Sequence, residues 1–247
     1  MFVREELRPG APGPANKTLA DQVYERIKGD LLSGTFASGT ALLTRQLLAR
    51  YGCGISPLRE ALVRLVGEGF LDASGHRSVR VPQPSRDDLE DVYRIRLLLE
   101  SEALVLAMKH GDDAWEAAAV AACHRLERAP LPGAGPQDER AARAAEWETR
   151  HRAFHAALVA AAPAPRLLRL IAQMVEQTER YRGLRLLQSS TDTLMRDVTT
   201  EHRALLDATL QRDPHATDLL REHLTRTQTF VAGLLARQSP SGAANPL

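Results

Sequence analysis

The sequence predicts a mainly α-helical protein in which an N-terminal winged helix-turn-helix is followed by an all-α antiparallel helical bundle. Two observations predict this fold class. Aromatic residues make up only 4% of the 247 residues, whereas alanine, leucine and arginine are abundant, and this bias favours helix over sheet. Apolar residues recur at helical spacing along most of the chain, and the strand-like segments are short and confined to 70–81.

Interruptions rich in proline, glycine and small polar residues divide the chain into four parts. We expect a disordered arm at 1–16, a DNA-binding domain at 17–82, an all-α domain at 85–237 and a disordered tail at 238–247. The arm lacks the apolar core of a signal peptide, and no apolar run is long enough to span a membrane. Two cysteines are too few for a zinc finger or a disulfide framework. The sequence therefore predicts a cytoplasmic protein with reduced thiols and no membrane partner.

The N-terminal domain has the pattern of a helix-turn-helix. Apolar residues at four-residue spacing predict a first helix over 18–33, and Thr44 is expected to cap the second helix. After a glycine-bearing turn, the third helix is expected to begin at Ser56 and Pro57, a capping hydroxyl followed by proline at the first helical position. The two strand-like runs within 70–81 then predict a small hairpin with a basic tip, which is a candidate wing.

The amount of charge in this domain does not indicate contact with DNA, but the positions of its arginines do. The whole chain has a net charge of +1, so no overall basic field indicates nucleic acid. Between residues 17 and 85, nine lysines and arginines stand against six acidic residues, which could equally be a solvated surface. Several arginines, however, fall on the two short helices and the hairpin tip, the parts that would face phosphates and base edges. These are Arg45, Arg50, Arg59, Arg64 and Arg77.

After the Pro-Gln-Pro linker at 82–84, the whole chain is predicted to be helical. Ser85 with Asp88 resembles a capping box at the start of this region. Six helices are expected between proline- or glycine-bearing turns: from 85 to about 109, 112–128, 138–161, one from about 166, 192–211 and 213–236.

Two histidines four residues apart, His151 and His155, lie inside the predicted helix at 138–161. This spacing puts both rings on one face of the helix, and neutral imidazole is the commonest metal ligand in proteins. A single such pair is more often a surface or packing feature, because a metal site needs three or more ligands. His202 and His223, on later predicted helices, could close around the pair.

Several short runs match a known family. In the first domain they are Leu-Ala-Asp-Gln-Val-Tyr at 19–24, Ser-Pro-Leu-Arg-Glu-Ala-Leu at 56–62 and Glu-Gly-Phe-Leu at 68–71. In the second domain they are Arg96 with Glu100, Phe154-His155, Glu201-His202 and His223-Leu224. On these residues the chain resembles GntR-superfamily transcription regulators of the FadR subfamily, whose second domain is the FCD ligand-binding domain.

The resemblance implies a homodimer that binds a double-stranded DNA operator with two half-sites and usually represses transcription. The implied DNA-binding residues are Arg45, Ser56, Arg59, His76 and Arg77. Ile55 stands where the family commonly has a base-contacting arginine. Without that arginine a bidentate guanine contact, worth about 1–3 kcal/mol of discrimination, is lost. We therefore expect the operator to differ from those of relatives that keep the arginine.

In the second domain, the resemblance implies a metal or a small organic acid that controls the spacing of the two DNA-binding heads. The metal-binding branch of the family commonly has an aspartate where this chain has His151, so the implied ligand set is four imidazoles. These are His151, His155, His202 and His223. Imidazole suits Zn, Ni, Cu or Fe(II), of which Zn or Ni is expected here. Because an all-nitrogen set leaves the ion dicationic, a small carboxylate effector is expected to bind to the metal.

The effector-binding residues implied by the family are Arg96, Arg180 and Arg182. Arg96 would pair bidentately with an effector carboxylate, or, alternatively, it forms an (i, i+4) pair with Glu100. Arg180 and Arg182 could line the cavity or the surface.

Two other functions are considered: the same regulator with a metal-free effector pocket, and a metal-dependent hydrolase. The absence of a His-Glu-x-x-His motif argues against the hydrolase, so the chain is predicted not to be an enzyme.

Overall fold

A computed structural model describes residues 17–75, 78–130, 136–188 and 192–238, without the side chains of 137, 180 and 182–197. The N-terminal part contains α1 (Leu19–Leu32), β1 (Ala41–Leu43), α2 (Thr44–Tyr51), α3 (Ile55–Gly67), β2 (Asp72–Ala73) and β3 (Ser78–Arg80). The C-terminal part contains α4 (Arg86–His110), α5 (Asp113–Glu127), α6 (Gln137–Val159), α7 (Pro165–Gln188), α8 (Asp192–Leu210) and α9 (Ala216–Gln238). The predicted fold class, a winged helix-turn-helix followed by an all-α domain, is confirmed.

The first helix is held at its start by a complete capping box. The Thr18 hydroxyl accepts a hydrogen bond from the Asp21 N–H at 3.1 Å, and the Asp21 carboxylate accepts one from the Thr18 N–H at 3.1 Å. Two orphan N–H groups are thereby satisfied. The helix buries Val23 and Ile27 in an apolar cluster to which α3 contributes Leu58 and neighbouring residues. This packing fixes α3 on the body of the domain and leaves its opposite face exposed.

The predicted starts of α2 and α3 are wrong in detail. Thr44 is the first residue of α2, since β1 runs directly into the helix and Leu43 occupies the cap position. The third helix begins at Ile55 after Gly54, which makes no side-chain cap. Pro57 is therefore the third helical residue, where its missing N–H costs nothing because the first-turn N–H groups have no intrahelical partner.

The wing belongs to a three-stranded antiparallel sheet with the order β1-β3-β2. Ala41 pairs with Arg80 on one side of β3, and Asp72 pairs with Arg80 on the other. The hairpin was predicted from the sequence but β1 was not, because three residues are too few to show alternation. The tip residues His76 and Arg77 lie outside the described residues, as do the predicted arm at 1–16 and the predicted tail from 239 onwards.

The helices of the C-terminal part form a second apolar cluster, separate from that of the winged domain. Its first helix, α4, is capped by Ser85, whose hydroxyl accepts the Asp88 N–H at 3.1 Å. Buried aromatic side chains at Trp115, Trp147 and Phe154 fill the centre of this cluster. No helix in the described part of the chain is long and apolar enough to cross a membrane.

The two parts touch through α7, which contacts α1 and the residue that follows α3. The Lys28 ammonium lies 2.7 Å from the Glu176 carboxylate, and the Gln177 amide donates to the Glu68 carbonyl at 2.8 Å. Lys28 is only 9% exposed. A charged group that is buried to this extent must be paired, and Glu176 pairs with it.

Candidate functional site

Four histidines from three helices meet inside the C-terminal domain. His151 and His155 come from α6, His202 from α8 and His223 from α9. All four are buried, and one nitrogen from each lies within 4.8 Å of the others. The structure therefore brings together the four histidines that the sequence analysis singled out.

Aromatic side chains form the apolar wall of this cluster. The ring of Trp147, one turn before His151 on α6, stacks on that imidazole with 4.6 Å between ring centroids and an interplanar angle of 18°. Phe154 lies 5.0 Å from the His202 ring, between centroids. These contacts restrict the imidazole rings and exclude water, which strengthens electrostatic interactions at the ring nitrogens.

A carboxylate behind the cluster orients one of the rings. The Nδ1 atom of His223 lies 2.9 Å from a Glu201 oxygen, and the other Glu201 oxygen accepts from the Arg226 guanidinium at 2.7 Å. Burial alone would raise the pKa of the Glu201 carboxyl, but hydrogen bonds from His223 and Arg226 outweigh it and lower that pKa. The ionised Glu201 accepts the Nδ1–H, so His223 keeps the lone pair on Nε2 for a ligand.

A buried ion pair lies beside the histidines on α4. The Arg96 Nε donates to Glu100 at 2.6 Å, and the second oxygen of Glu100 is 3.9 Å from Nδ1 of His155. The Arg96 Nη1 donates to the Thr178 hydroxyl of α7 at 3.1 Å. Burial alone would lower the pKa of Arg96, but the neighbouring Glu100 outweighs it and the pKa is raised. Arg96 is thus a cation inside the bundle, and its (i, i+4) pair with Glu100 is present.

Two polar atoms beside this ion pair have no hydrogen-bond partner among the described residues. They are the Nη2 of Arg96 and the hydroxyl of Tyr93. The guanidinium carbon lies 5.2 Å from the centroid of the Tyr93 ring, and both side chains are almost fully buried. A buried donor without an acceptor is costly, so these atoms can bind a polar ligand favourably.

The other predicted effector residues are only partly placed. Arg180 and Arg182 lie on α7, but their side chains are outside the described part of the chain. Tyr181 between them is fully buried and donates its hydroxyl hydrogen to Asp88 at the start of α4. The structure therefore locates the two arginines on the helix that contacts Arg96 and does not locate their guanidinium groups.

Three of the predicted DNA-binding residues share one exposed face of the winged domain. Arg45 lies on α2, and Ser56 and Arg59 lie in the first turns of α3. Arg45 and Arg59 line an open groove of about 700 Å³ between α2, α3 and the wing. Most of the groove lining is apolar, with Ile55 and Val63 exposed on the same helix.

Two contacts of the helical site were not predicted from the sequence. Glu201 was noted only as the neighbour of His202, and its contact with His223 joins residues that lie on different helices. Trp147 was recognisable only as an apolar residue one helical turn before His151. The spacing of four residues was the available signal for its stacking contact.

Comparison with known proteins agrees with this architecture. The model for bacterial regulatory proteins of the gntR family matches residues 19–81, and the FCD domain model matches residues 91–226. The transcriptional regulator BphR of Paraburkholderia xenovorans is 33% identical over 87% of this chain and 86% of the relative. The transcriptional repressor GlaR of Escherichia coli is 32% identical over 81% of this chain and 90% of the relative.

A solved structure has the same fold. The E. coli McbR/YncC structure superposes with a TM-score of 0.71, at 23% sequence identity, over 89% of this chain and all of that one. The relatives are transcription regulators, which confirms the prediction that this chain is not an enzyme. With an N-terminal DNA-binding match and an FCD match over more than half of its length, the chain belongs to the GntR family of transcription regulators.

Proposed function

We propose that this regulator is a repressor whose operator affinity is controlled by a small carboxylate bound at a metal site in the FCD domain. The observation that carries the proposal is the cluster of four buried imidazoles, whose nitrogens lie within 4.8 Å of one another. Repression is proposed because GlaR, one of its relatives over most of the chain, is a repressor.

The geometry of the cluster fits a divalent transition metal held by His151, His155, His202 and His223. Zinc–imidazole bonds are about 2.0–2.1 Å long, so ligand atoms around one ion are at most about 4 Å apart. The observed spread of 4.8 Å requires only a small contraction. Zinc or nickel suits an all-imidazole set, and the orientation of His223 by Glu201 is typical of metal-binding histidines.

A metal held by the four histidines would supply a dicationic centre, and Arg96 supplies a second positive group in the same domain. Four neutral imidazoles do not reduce the charge of the ion, so an anionic effector is favoured. The Nη2 of Arg96 and the Tyr93 hydroxyl can donate to such an anion. Because Nε and Nη1 of Arg96 already donate to Glu100 and Thr178, we expect a contact through Nη2 rather than the bidentate pair that the sequence suggested.

The proposal extends to Arg180 and Arg182 on α7. They flank a residue whose hydroxyl contacts the start of α4, so their backbone lies close to the helix that carries Arg96. We propose that one or both contribute positive charge to the effector pocket.

Elemental analysis and DNA binding together test the proposal. The protein is purified without a histidine tag, and its metal content is measured before and after incubation with Zn or Ni. About one ion per chain is expected; less than about 0.2, unchanged by added metal, would favour the metal-free pocket. Failure to bind its own upstream region in a gel shift, with and without candidate organic acids, would refute operator control.

Glu201→Gln is expected to weaken metal binding without removing a ligand. The amide cannot supply the negative charge that the Nδ1–H of His223 faces, and loss of such a contact typically lowers metal affinity by about 10–100-fold. Competition with a chromophoric chelator measures this change. Glu222→Gln is the matched control, because Glu222 pairs with the same Arg226 but is exposed. Equal effects of the two variants would contradict the orienting role of Glu201.

We further propose that the chain is a homodimer joined through the exposed face of α4. This face carries Leu98 and Val105, which are 69% and 46% exposed, together with charged residues at helical spacing. The charged residues are Asp87, Asp91, Arg94, Glu102 and Lys109. In a two-fold symmetric dimer each interface residue has a symmetry mate.

A second, antiparallel copy of α4 complements this face. With the two-fold axis at Leu98, Arg94 of one subunit faces Glu102 of its partner, and Asp87 faces Lys109. The exposed leucine then packs on its own copy at the centre. Among the described residues of one chain, Arg94 makes only a long contact of 3.7 Å with Asp91, which is weak at an exposed site.

Arg94→Glu is expected to raise the dimer dissociation constant on the order of 100-fold, since it places like charges together twice across the axis. Glu102→Arg should have the same effect, and the double variant should restore the dimer. Sedimentation velocity measures the dissociation constant. Arg125→Glu, an exposed charge reversal on α5, is the control. A double variant that remains as weak as the single ones would exclude this pairing.

A further inference from the structure

The exposed face of α3 is apolar at both ends of its DNA-facing stretch. Ile55 is 48% exposed and Val63 is 66% exposed, and Arg59 stands between them at four-residue spacing. Residues at this spacing lie on one side of a helix. The other face of α3 buries Leu58, Ala61 and Leu65 in the domain core, and the exposed Ile55 and Val63 lie outside that core.

The groove in front of this face has cations beside an apolar surface. Among the described residues that line it, Leu43, Ile55 and Val63 are the large exposed apolar side chains, and Arg45 and Arg59 are the charged groups. Arginines at such a surface can contact phosphates or guanine edges. Exposed apolar groups clustered beside them indicate that the partner also carries an apolar group.

Ile55 is the apolar residue best placed for the base edges. It is the first residue of α3, after Gly54, which has no side chain to cover it. Helix-turn-helix proteins contact base edges with the N-terminal residues of this helix. Val63 lies eight residues later, about 12 Å further along the helix axis at 1.5 Å per residue.

In the major groove, the apolar group on a base edge is the C5-methyl of thymine. A β-branched side chain has few rotamers, so Ile55 loses little conformational freedom when it packs on such a methyl group. The polar edges of guanine, adenine and cytosine offer it no comparable contact.

We propose that Ile55 is a specificity-determining residue that contacts a thymine methyl group in each operator half-site. The assignment rests on the proposed operator binding. It predicts that the preferred operator contains a thymine opposite the first turn of α3, beside the bases or phosphates contacted by Arg59.

Replacing that thymine with deoxyuridine tests the assignment, because the change removes the methyl group and keeps the base pair. The operator is first selected from a random double-stranded pool with the full-length protein. Fluorescence anisotropy then measures binding to the selected operator and to versions with deoxyuridine at each enriched thymine. Removing one buried methyl group should weaken binding about fourfold, and removing it in both half-sites roughly 15-fold.

Ile55→Ala should lose a similar factor on the thymine operator and show no further loss with deoxyuridine. Val120→Ala is the matched control: Val120 is 45% exposed, on α5 of the other domain, and this variant should discriminate as the wild type does. Ile55→Arg should change the base selected at that position from thymine to guanine.

Two results would overturn the assignment while leaving operator binding intact. In one, the wild type binds the thymine and deoxyuridine operators equally; in the other, Ile55→Ala still discriminates between them. A selection that enriches no sequence, together with no DNA binding in any assay, would instead refute the proposed operator binding and the assignment with it.

Discussion

His202→Ala is expected to reduce the metal content from about one ion per chain to less than about 0.2. The ring is part of the cluster, and its centroid lies 5.0 Å from that of His151 and 4.7 Å from that of His223. Loss of a direct ligand should lower metal affinity by more than about 100-fold, beyond the usual effect of losing a group behind a ligand. Elemental analysis and chelator competition measure both quantities, and the effector response should be lost with the metal.

Basal operator binding should remain largely intact in this variant, because α8 is not part of the DNA-binding face. His124→Ala is the matched control, since His124 is exposed on α5 and lies outside the cluster. Circular dichroism establishes that both variants are folded. A folded His202→Ala protein that keeps its metal would remove His202 from the ligand set. Complete loss of basal operator binding would show instead that the histidines stabilise the dimer.

Arg59→Ala is expected to abolish specific operator binding while metal content and effector binding stay unchanged. Arg59 is exposed in the first turns of α3 and lines the groove with Arg45. One bidentate arginine–guanine contact contributes about 1–3 kcal/mol. In a dimer with two half-sites the lost free energy doubles, to about 2–6 kcal/mol, which weakens binding by about 30-fold at the low end and about 2 × 10⁴-fold at the high end.

Fluorescence anisotropy on the selected operator, over a range of salt concentrations, measures this loss. Arg125→Ala removes an equally exposed arginine from the helical domain and should bind DNA as the wild type does. A variant that loses affinity equally for operator and unrelated DNA would identify Arg59 as a phosphate contact and not a base contact.

The helical domain could be predicted closely from sequence because its helices show their periodicity and end signals. The first of its helices was expected to end near 109 and ends at His110, and α8 occupies 192–210 against a predicted 192–211. The winged domain was harder at its element boundaries. Its elements follow one another within a few residues. Because β1 runs directly into α2, Thr44 is the first residue of the helix and not its capping residue.

The candidate site could be predicted in its residue types and less well in its contacts. Helical spacing alone placed His151 beside His155. His202 and His223 were candidates because they lie on later predicted helices, and the family resemblance then implied them as ligands. The burial of Arg96 between α4 and α7 could not be derived from the sequence, since it depends on how Thr178 packs on α4. Likewise, the support that Glu201 gives to His223 arises only from the packing of α8 on α9.

The contact between Lys28 and Glu176 has a thermodynamic consequence for signalling. The apolar clusters of the two domains are separate. The ion pair joins α1 to α7, and the Gln177 hydrogen bond joins the end of α3 to α7. Reorienting the DNA-binding domain therefore does not require either core to open. A ligand shifts an equilibrium by its difference in affinity for the two states, and about 5.5 kcal/mol converts a 1:99 population to 99:1. The two named contacts contribute together on the order of 2–4 kcal/mol, which is less than this difference, so the effector binding proposed above would supply enough energy to change the population of DNA-binding orientations.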